Sequence, residues 1–226
     1  MFLLSSDYDM TLNPYVDNLK INLGLLSSFR KNGNIFLLNT GRAFHSIKRE
    51  IDEHKIDYDY LSCNDGNIMF NQKGEVLYSS NLDINLYDRL MELKKYYQLE
   101  LKKVKFLENL LEFELIIKEI NEDFLALLDK IMIECSLCYQ VFKERGFFHF
   151  YIYDNRVNKT TPIEFLKKNY KFLHDYIYTT GDHYNDLEMI KNYHGYAMPW
   201  AKDEVKLVAE GVEEVSSVIK KINRKW

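Results

Sequence analysis

Met1-Phe2-Leu3-Leu4-Ser5-Ser6-Asp7-Tyr8-Asp9-Met10-Thr11-Leu12 decides how this chain folds. Its apolar run suits a buried strand, and it ends in two aspartates one residue apart. Strand side chains repeat their direction every second residue, so Asp7 and Asp9 project to one side at the strand's carboxyl end. Open α/β sheets bind ligands at that edge. Two carboxylates held this close repel each other as anions unless a cation or a shared proton compensates them. The stretch therefore predicts metal or acid–base chemistry, with Asp7 as a nucleophile.

Downstream, Leu19, Leu23, Leu26 and Phe29 follow helical spacing, and Gly33 stands where a C-terminal cap is expected. Ile35-Phe36-Leu37-Leu38 is a continuous apolar run suited to a strand buried on both faces, and it ends in Asn39-Thr40-Gly41-Arg42. Phe44, Ile47 and Ile51 mark a second helix, and 58–62 a further strand before Asn64-Asp65-Gly66. Strands alternating with helices predict an α/β fold with a Rossmann-like parallel sheet and right-handed crossovers.

Between 82 and 154 the pattern changes, with two amphipathic helices each followed by alternating strands. The first carries Leu86, Leu90, Leu93 and Tyr97, the second Phe124, Leu128 and Ile131 after a cap at Asn121. Phe113, Leu115 and Ile117 alternate, and the strands 139–142 and 148–152 flank a turn at Glu144-Arg145-Gly146. This predicts an inserted α+β domain at 82–154, and a discontinuous core at 1–81 and 155–226. The core resumes at Lys159, just ahead of a helix start in which Thr161-x-x-Glu164 has a capping-box pattern and Pro162 suits the first turn. Tyr176-Ile177-Tyr178 is the next strand. It opens into Gly181-Asp182-His183-Tyr184-Asn185-Asp186, a second acidic cluster, and Tyr196-Ala197-Met198 forms a last short strand before helices from about 203 and 212.

Composition narrows the classes. With 226 residues, 46% of them hydrophobic, the chain can bury a core in one domain plus an insertion. A net charge of −4 with scattered cations leaves no electrostatic footprint for nucleic acid, and the basic Lys220-Lys221 and Arg224-Lys225 read as a solvated helix end. No apolar stretch approaches the roughly 20 residues needed to span a bilayer, so no membrane partner is expected and the cytoplasm is the expected compartment. Three cysteines do not form a disulfide framework, and Cys135-x-x-Cys138, lacking a second Cys pair or a suitably spaced His, is read as structural.

Strand ends of a parallel sheet gather on one edge, and there this chain supplies carboxylates, a hydroxyl and an ammonium. Carboxylate oxygens of Asp7 and Asp182, with the Asp9 main-chain carbonyl and waters, suit the hard oxygen shell of Mg²⁺. Lys159 as a point charge and the Thr40 hydroxyl with nearby backbone N–H groups would clamp a phosphoryl group. Asp7 would attack phosphorus in line, while Asp9 protonates the leaving alcohol and then takes a proton from the hydrolytic water.

These residues together resemble the haloacid dehalogenase superfamily, in particular its Cof-like phosphatases. Asp7-Tyr8-Asp9-Met10-Thr11 matches D-x-D-x-T, Asn39-Thr40-Gly41-Arg42 the second motif, Lys159 the motif lysine, and Gly181 to Asp186 matches G-D-x-x-N-D. The last motif is the most specific. The resemblance implies a core with a mobile cap inserted after the second motif, and Mg²⁺-dependent hydrolysis of small phosphorylated metabolites, sugar phosphates above all. It implies Asp7 as nucleophile, Asp9 as acid and base, and a metal held by Asp7, Asp9 and Asp182. Thr40, Gly41, Arg42, Lys159 and Asn185 would bind phosphate or substrate, with Asp186 in support.

Two positions depart from the family pattern. Met10 stands where many relatives carry Gly, and Pro199-Trp200 where many carry Gly-Asn. Neither removes a reacting group. Phosphosugar mutase-type transfer and a non-catalytic regulator that binds a phosphorylated metabolite are the alternatives. A receiver-type signalling domain also uses an aspartate, a Thr and a Lys, but fits neither the insertion nor the late acidic cluster. Sequence leaves the substrate and the oligomeric state open.

Overall fold

A computed structural model describes residues 1–170 and 176–224. Lys225, the last cation of the expected solvated helix end, therefore lies outside the described residues. The chain divides into two compact units, Met1–Tyr78 together with the chain from Asn158 onward, and Ser79–Val157.

The first unit is built on an eight-stranded sheet. Its strands are β1 (Leu3–Ser6), β2 (Ile35–Asn39), β3 (Tyr60–Cys63), β4 (Ile68–Asn71), β5 (Val76–Ser79), with β6 to β9 belonging to the insertion, then β10 (Ile177–Gly181), β11 (His194–Ala197) and β12 (Gly211–Val212). They lie in the order β12-β11-β10-β1-β2-β3-β4-β5. β1 pairs in parallel with β2 on one side and β10 on the other, whereas β4 turns back antiparallel to β3. The chain thus builds outward from β1 first one way and then the other. β1 is the topological switch point, where such sheets open a crevice for ligands.

Helices α1 (Val16–Lys31) and α2 (Phe44–His54) follow β1 and β2. The buried stripe of α1 is Leu19, Asn22, Leu26 and Phe29. Asn22 takes the inward place expected of Leu23, because its Nδ2 donates to the Leu12 carbonyl at 2.9 Å and so satisfies an acceptor in the turn after β1. Gly33 follows the helix at φ +78°, the left-handed conformation expected of a helix end. Beyond β11, α7 (Asp203–Val208) precedes the two-residue β12, and α8 runs Val215–Asn223. β11 is therefore not the last strand, and the last helix, expected from about 212, starts at Val215.

The second unit has an antiparallel sheet of β6 (Leu99–Phe106), β7 (Asn109–Ile117), β8 (Leu137–Glu144) and β9 (Phe147–Asp154), in the order β6-β7-β9-β8. Phe113, Leu115 and Ile117 of β7 and Phe150 and Ile152 of β9 form one apolar cluster with Leu90, Leu93, Phe124 and Leu128. The first helix is shorter than its stripe predicts: α3 spans Leu86–Met91 and tightens into a 3₁₀ turn at Glu92–Lys95. α4 (Glu122–Cys135) is capped as expected, Asn121 Oδ1 accepting from Phe124 N at 2.8 Å. Arg145 and Gly146 turn β8 into β9 with φ of 50° and 85°, a pairing that suits a two-residue hairpin loop. Among the described residues no helix is long and apolar enough to cross a membrane.

Candidate active site

Asp7 directly follows β1, its N–H bonded to the Thr180 carbonyl of β10 at 3.0 Å, so it sits at the crevice. Lys159 Nζ reaches it, 2.6 Å from Asp7 Oδ1, 2.7 Å from Asp186 Oδ1 and 4.0 Å from Asp65 Oδ1. The lysine side chain is wholly buried. Its backbone is fixed ahead of α5 (Thr161–Tyr170), with Asn39 Nδ2 donating to the Lys159 carbonyl at 2.8 Å. The turn into α5 is capped by Asn158, whose Oδ1 accepts from Thr160 N at 2.7 Å and Thr160 Oγ1 at 2.6 Å. Thr161 Oγ1 accepts from Asn158 N, and the two backbone donors that a Thr161–Glu164 box would use go elsewhere, Thr161 N to the Asn158 carbonyl and Glu164 N to the Thr160 carbonyl, both at 2.9 Å.

Burial works against the Lys159 charge, but Asp186, Asp7 and Asp65 outweigh it and raise its pKa. Burial raises the Asp7 carboxyl, with Asp186 and Asp182 pushing the same way and Lys159 opposing. Asp182 is also raised by burial, against a hydrogen bond from Thr11 Oγ1 at 2.7 Å. One ammonium among four carboxylates leaves the pocket short of positive charge.

Asp186 is the organiser of its motif. Its Oδ2 accepts from Asp182 N at 2.9 Å and His183 N at 3.0 Å while Oδ1 takes Lys159. Glycine at 181 is required for this, since a Cβ there would lie 2.5 Å from the Asp186 Cβ and Cγ. Asp7, Asp182 and Asp186 each offer an oxygen within 4.8 Å of the others, so the three could hold a metal ion. An all-oxygen, anionic set suits a hard divalent cation. Asp186 already has both oxygens engaged, which leaves Asp7 and Asp182 as the freer donors.

The Asp9 carboxylate is not in this group. Arg42 holds it by two bonds, Nε to Oδ2 at 2.8 Å and Nη2 to Oδ1 at 2.6 Å, and extends Nη1 to Glu50 at 2.9 Å. Thr40 is buried, its Oγ1 accepting from Arg42 N at 3.1 Å. Gly41 lets the Asp65 carboxylate approach, since a Cβ there would meet it at 3.0 Å. Asn185 Nδ2 donates to the same carboxylate at 2.8 Å. The structure therefore gathers Asp7, Lys159, Asp182 and Asp186 around one point, and links Thr40, Gly41 and Asn185 to it through neighbours. The sequence alone assigns no role to Asp65, Thr11 or Glu50. Thr11 lies within the first motif and Asp65 within the quoted turn, whereas Glu50 carries no local signal at all.

Residues 5–107 and 94–217 match the model of the haloacid dehalogenase-like hydrolases. The chain belongs to this family. A curated relative, an uncharacterized protein of Mycoplasma capricolum, is 24% identical over 84% of this chain and 87% of its own length. Among solved structures, a phosphatase of the haloalkanoate (HAD) superfamily from Bacteroides thetaiotaomicron superposes with a TM-score of 0.79 at 18% identity, covering 99% of this chain and 94% of its own. The sucrose-phosphatase of Synechocystis, solved with sucrose and phosphate, gives 0.71 at 16% identity, over 99% and 97%. At such identities the likeness is one of fold. The two departures of this haloacid dehalogenase-like hydrolase from the family pattern touch each other: Trp200 Nε1 donates to the Met10 carbonyl at 2.5 Å, while Met10 holds φ at 55°. Tyr15 packs edge-on against Trp200 with ring centroids 6.4 Å apart.

Proposed function

We propose that this chain is a Mg²⁺-dependent phosphomonoesterase for small phosphorylated metabolites, sugar phosphates first among them. The observation that carries the reading is the buried Lys159 ammonium bridging Asp7 and Asp186 beside Asp182, at the switch point of the sheet. Structural ion pairs rarely gather more carboxylates than one cation can neutralise; a site for a divalent cation and a phosphoryl group does.

Asp7 and Asp182 would hold Mg²⁺, which when bound supplies positive charge next to the phosphoryl oxygens. Lys159 engages Asp7 Oδ1, orienting Oδ2 for in-line attack on phosphorus. Asp9 enters this step carrying a proton on an oxygen lone pair that Arg42 leaves free, and as the Asp7–phosphorus bond forms the ester oxygen leaves and takes that proton. Water then attacks the aspartyl-phosphate, Asp9 takes the water's proton, and inorganic phosphate departs with Asp7 regenerated. Lys159 and the Thr40 region neutralise charge on the transferring oxygens. Arg42, with its guanidinium committed to Asp9 and Glu50, is assigned to holding Asp9 in place of the phosphate contact expected from the motif. The inserted unit is assigned the role of cap, setting substrate range.

Phosphate release from a panel of phosphorylated sugars and an aryl phosphate, with and without Mg²⁺, tests this directly. Release that needs Mg²⁺ and vanishes in Asp7→Asn is expected. Equal release by the unaltered chain and Asp7→Asn would sink the assignment.

A further inference from the structure

We infer that Glu50 and Tyr8 are positioning residues for Asp9, acting through Arg42; this rests on the phosphatase reading above. Asp9 needs such help, because its side chain is 51% exposed and a solvated carboxylate samples several rotamers. An arginine reaching it across solvent would add little by itself, since exposed ion pairs contribute only a fraction of a kcal/mol to about 1 kcal/mol.

Here the arginine is itself held. Its third nitrogen, Nη1, donates to Glu50 Oε1 at 2.9 Å. The other oxygen of Glu50 accepts from the Tyr8 hydroxyl at 2.8 Å, and that hydroxyl accepts in turn from Asn13 Nδ2 at 3.0 Å. The Tyr8 ring is fully buried, and the Arg42 guanidinium lies 5.1 Å from its centroid. Tyr8 precedes Asp9 in the chain, so the contacts close on themselves: Asp9 to Arg42, Arg42 to Glu50, Glu50 to Tyr8, and Tyr8 back to Asp9 through one peptide bond. A closed circuit anchored on a buried ring has few alternative arrangements. The two-pronged Arg42–Asp9 contact fixes the plane of the carboxylate as well as its distance. Asn13 reinforces the loop by donating its backbone N–H to the Tyr8 carbonyl at 2.8 Å. Glu50 and Tyr8 do not approach the reacting atoms; they determine where Asp9 points when it delivers its proton to the leaving oxygen.

A positioned acid matters in proportion to how poor the leaving group is. A nitrophenolate departs without a proton, whereas a sugar alkoxide does not. Glu50→Gln and Tyr8→Phe would therefore be assayed in Mg²⁺ on p-nitrophenyl phosphate and on a hexose 6-phosphate, comparing kcat/KM, which reports the first phosphoryl transfer. Both variants are expected to lose about tenfold more on the hexose phosphate than on the aryl phosphate, a part of the 10²–10⁴ a general acid supplies. Arg30→Gln, which breaks a comparable ion pair with Asp59 elsewhere in the same unit, is expected to leave the ratio of the two substrates unaltered. Equal losses on both substrates in Glu50→Gln and Tyr8→Phe, or a shifted ratio in Arg30→Gln as well, would overturn the inference and leave the phosphatase reading standing. Absence of turnover by the unaltered chain would overturn both.

Discussion

Lys159 Nζ and Asp7 Oδ1 stand 2.6 Å apart, although 152 positions separate them in sequence. The pair exists because Asp7 follows β1 while Asn39, at the end of the neighbouring β2, holds the lysine backbone. Lys159→Met keeps much of the buried volume while leaving Asp7 and Asp186 without their cation. Breaking a buried pair in this way costs about 3–5 kcal/mol, so the urea midpoint of the metal-free protein is expected to fall accordingly. A midpoint unchanged within error would show that the lysine is not the compensating charge.

Divalent metal should stabilise the fold through the same pocket. Saturation at about a hundred times the dissociation constant adds about 2.7 kcal/mol to a state that alone binds the ligand. Adding Mg²⁺ should raise the melting temperature, a chelator should reverse the rise, and Asp182→Asn should abolish it. A rise that persists in Asp182→Asn would place the metal elsewhere.

Gly181→Ala probes the organiser of the acidic motif. The added methyl lies 2.5 Å from Asp186, and overpacking of that kind costs about 1–3 kcal/mol. Because Asp186 also holds the Asp182 backbone, the variant should lose most of the Mg²⁺-dependent rise in melting temperature as well. Normal metal stabilisation in a destabilised Gly181→Ala protein would separate Asp186 from the metal site.

Hydrogen bonds from Arg42 and Tyr8 hold the Glu50 carboxyl below its ordinary value of 4.5. A carboxyl lowered on folding contributes stability that is present above the unfolded value and is lost as pH falls through the folded one. The melting-temperature gap between the unaltered protein and Glu50→Gln should thus be full at neutral pH and shrink from about pH 4.5 downward. A gap that stays constant across that range would argue against an ionised Glu50 in the native protein.

In the inserted unit, Asn121→Ala removes the cap of α4 and should cost about 1 kcal/mol. Thermal melting reads this, and Asn121→Ser should recover most of it. Equal losses in the two variants would mean that the Asn121 hydrogen bond to Phe124 contributes nothing.

Much of this was legible in the chain because its signals are local. An apolar run ending in Asp7-Tyr8-Asp9, a Gly-Asp pair after a strand and an Asn before an amphipathic stripe each carry their own physical reason. What escaped depends on backbone geometry or on distant partners. Asp65 reaches Lys159 and Asn185 because Asn64, Asp65 and Gly66 are all left-handed, at φ of 52°, 51° and 95°, and non-glycine residues adopt that region too seldom for it to be read from composition. Asn22 replaced Leu23 inside because a hydrogen bond to Leu12 outweighed the apolar period. Glu50 carries no local signal, since its partners Tyr8 and Arg42 come from two other segments. Met10 and Trp200 stood out as separate departures; that the indole clasps the Met10 carbonyl follows from the fold alone.

The central position of β1 bears on how the protein is made. Its β2 neighbour follows within a few dozen residues, but the β10 flank is synthesised only after the whole insertion. Until then the nascent sheet carries an open, apolar edge at the very strand that leads into Asp7, the kind of edge that recruits wrong partners. The inserted unit, with an apolar cluster of its own, can condense during that interval. Slow translation between the insertion and β10 would lengthen the exposure, so synthesis rate through the last third of the chain should set the yield of active protein more strongly than rate anywhere before it.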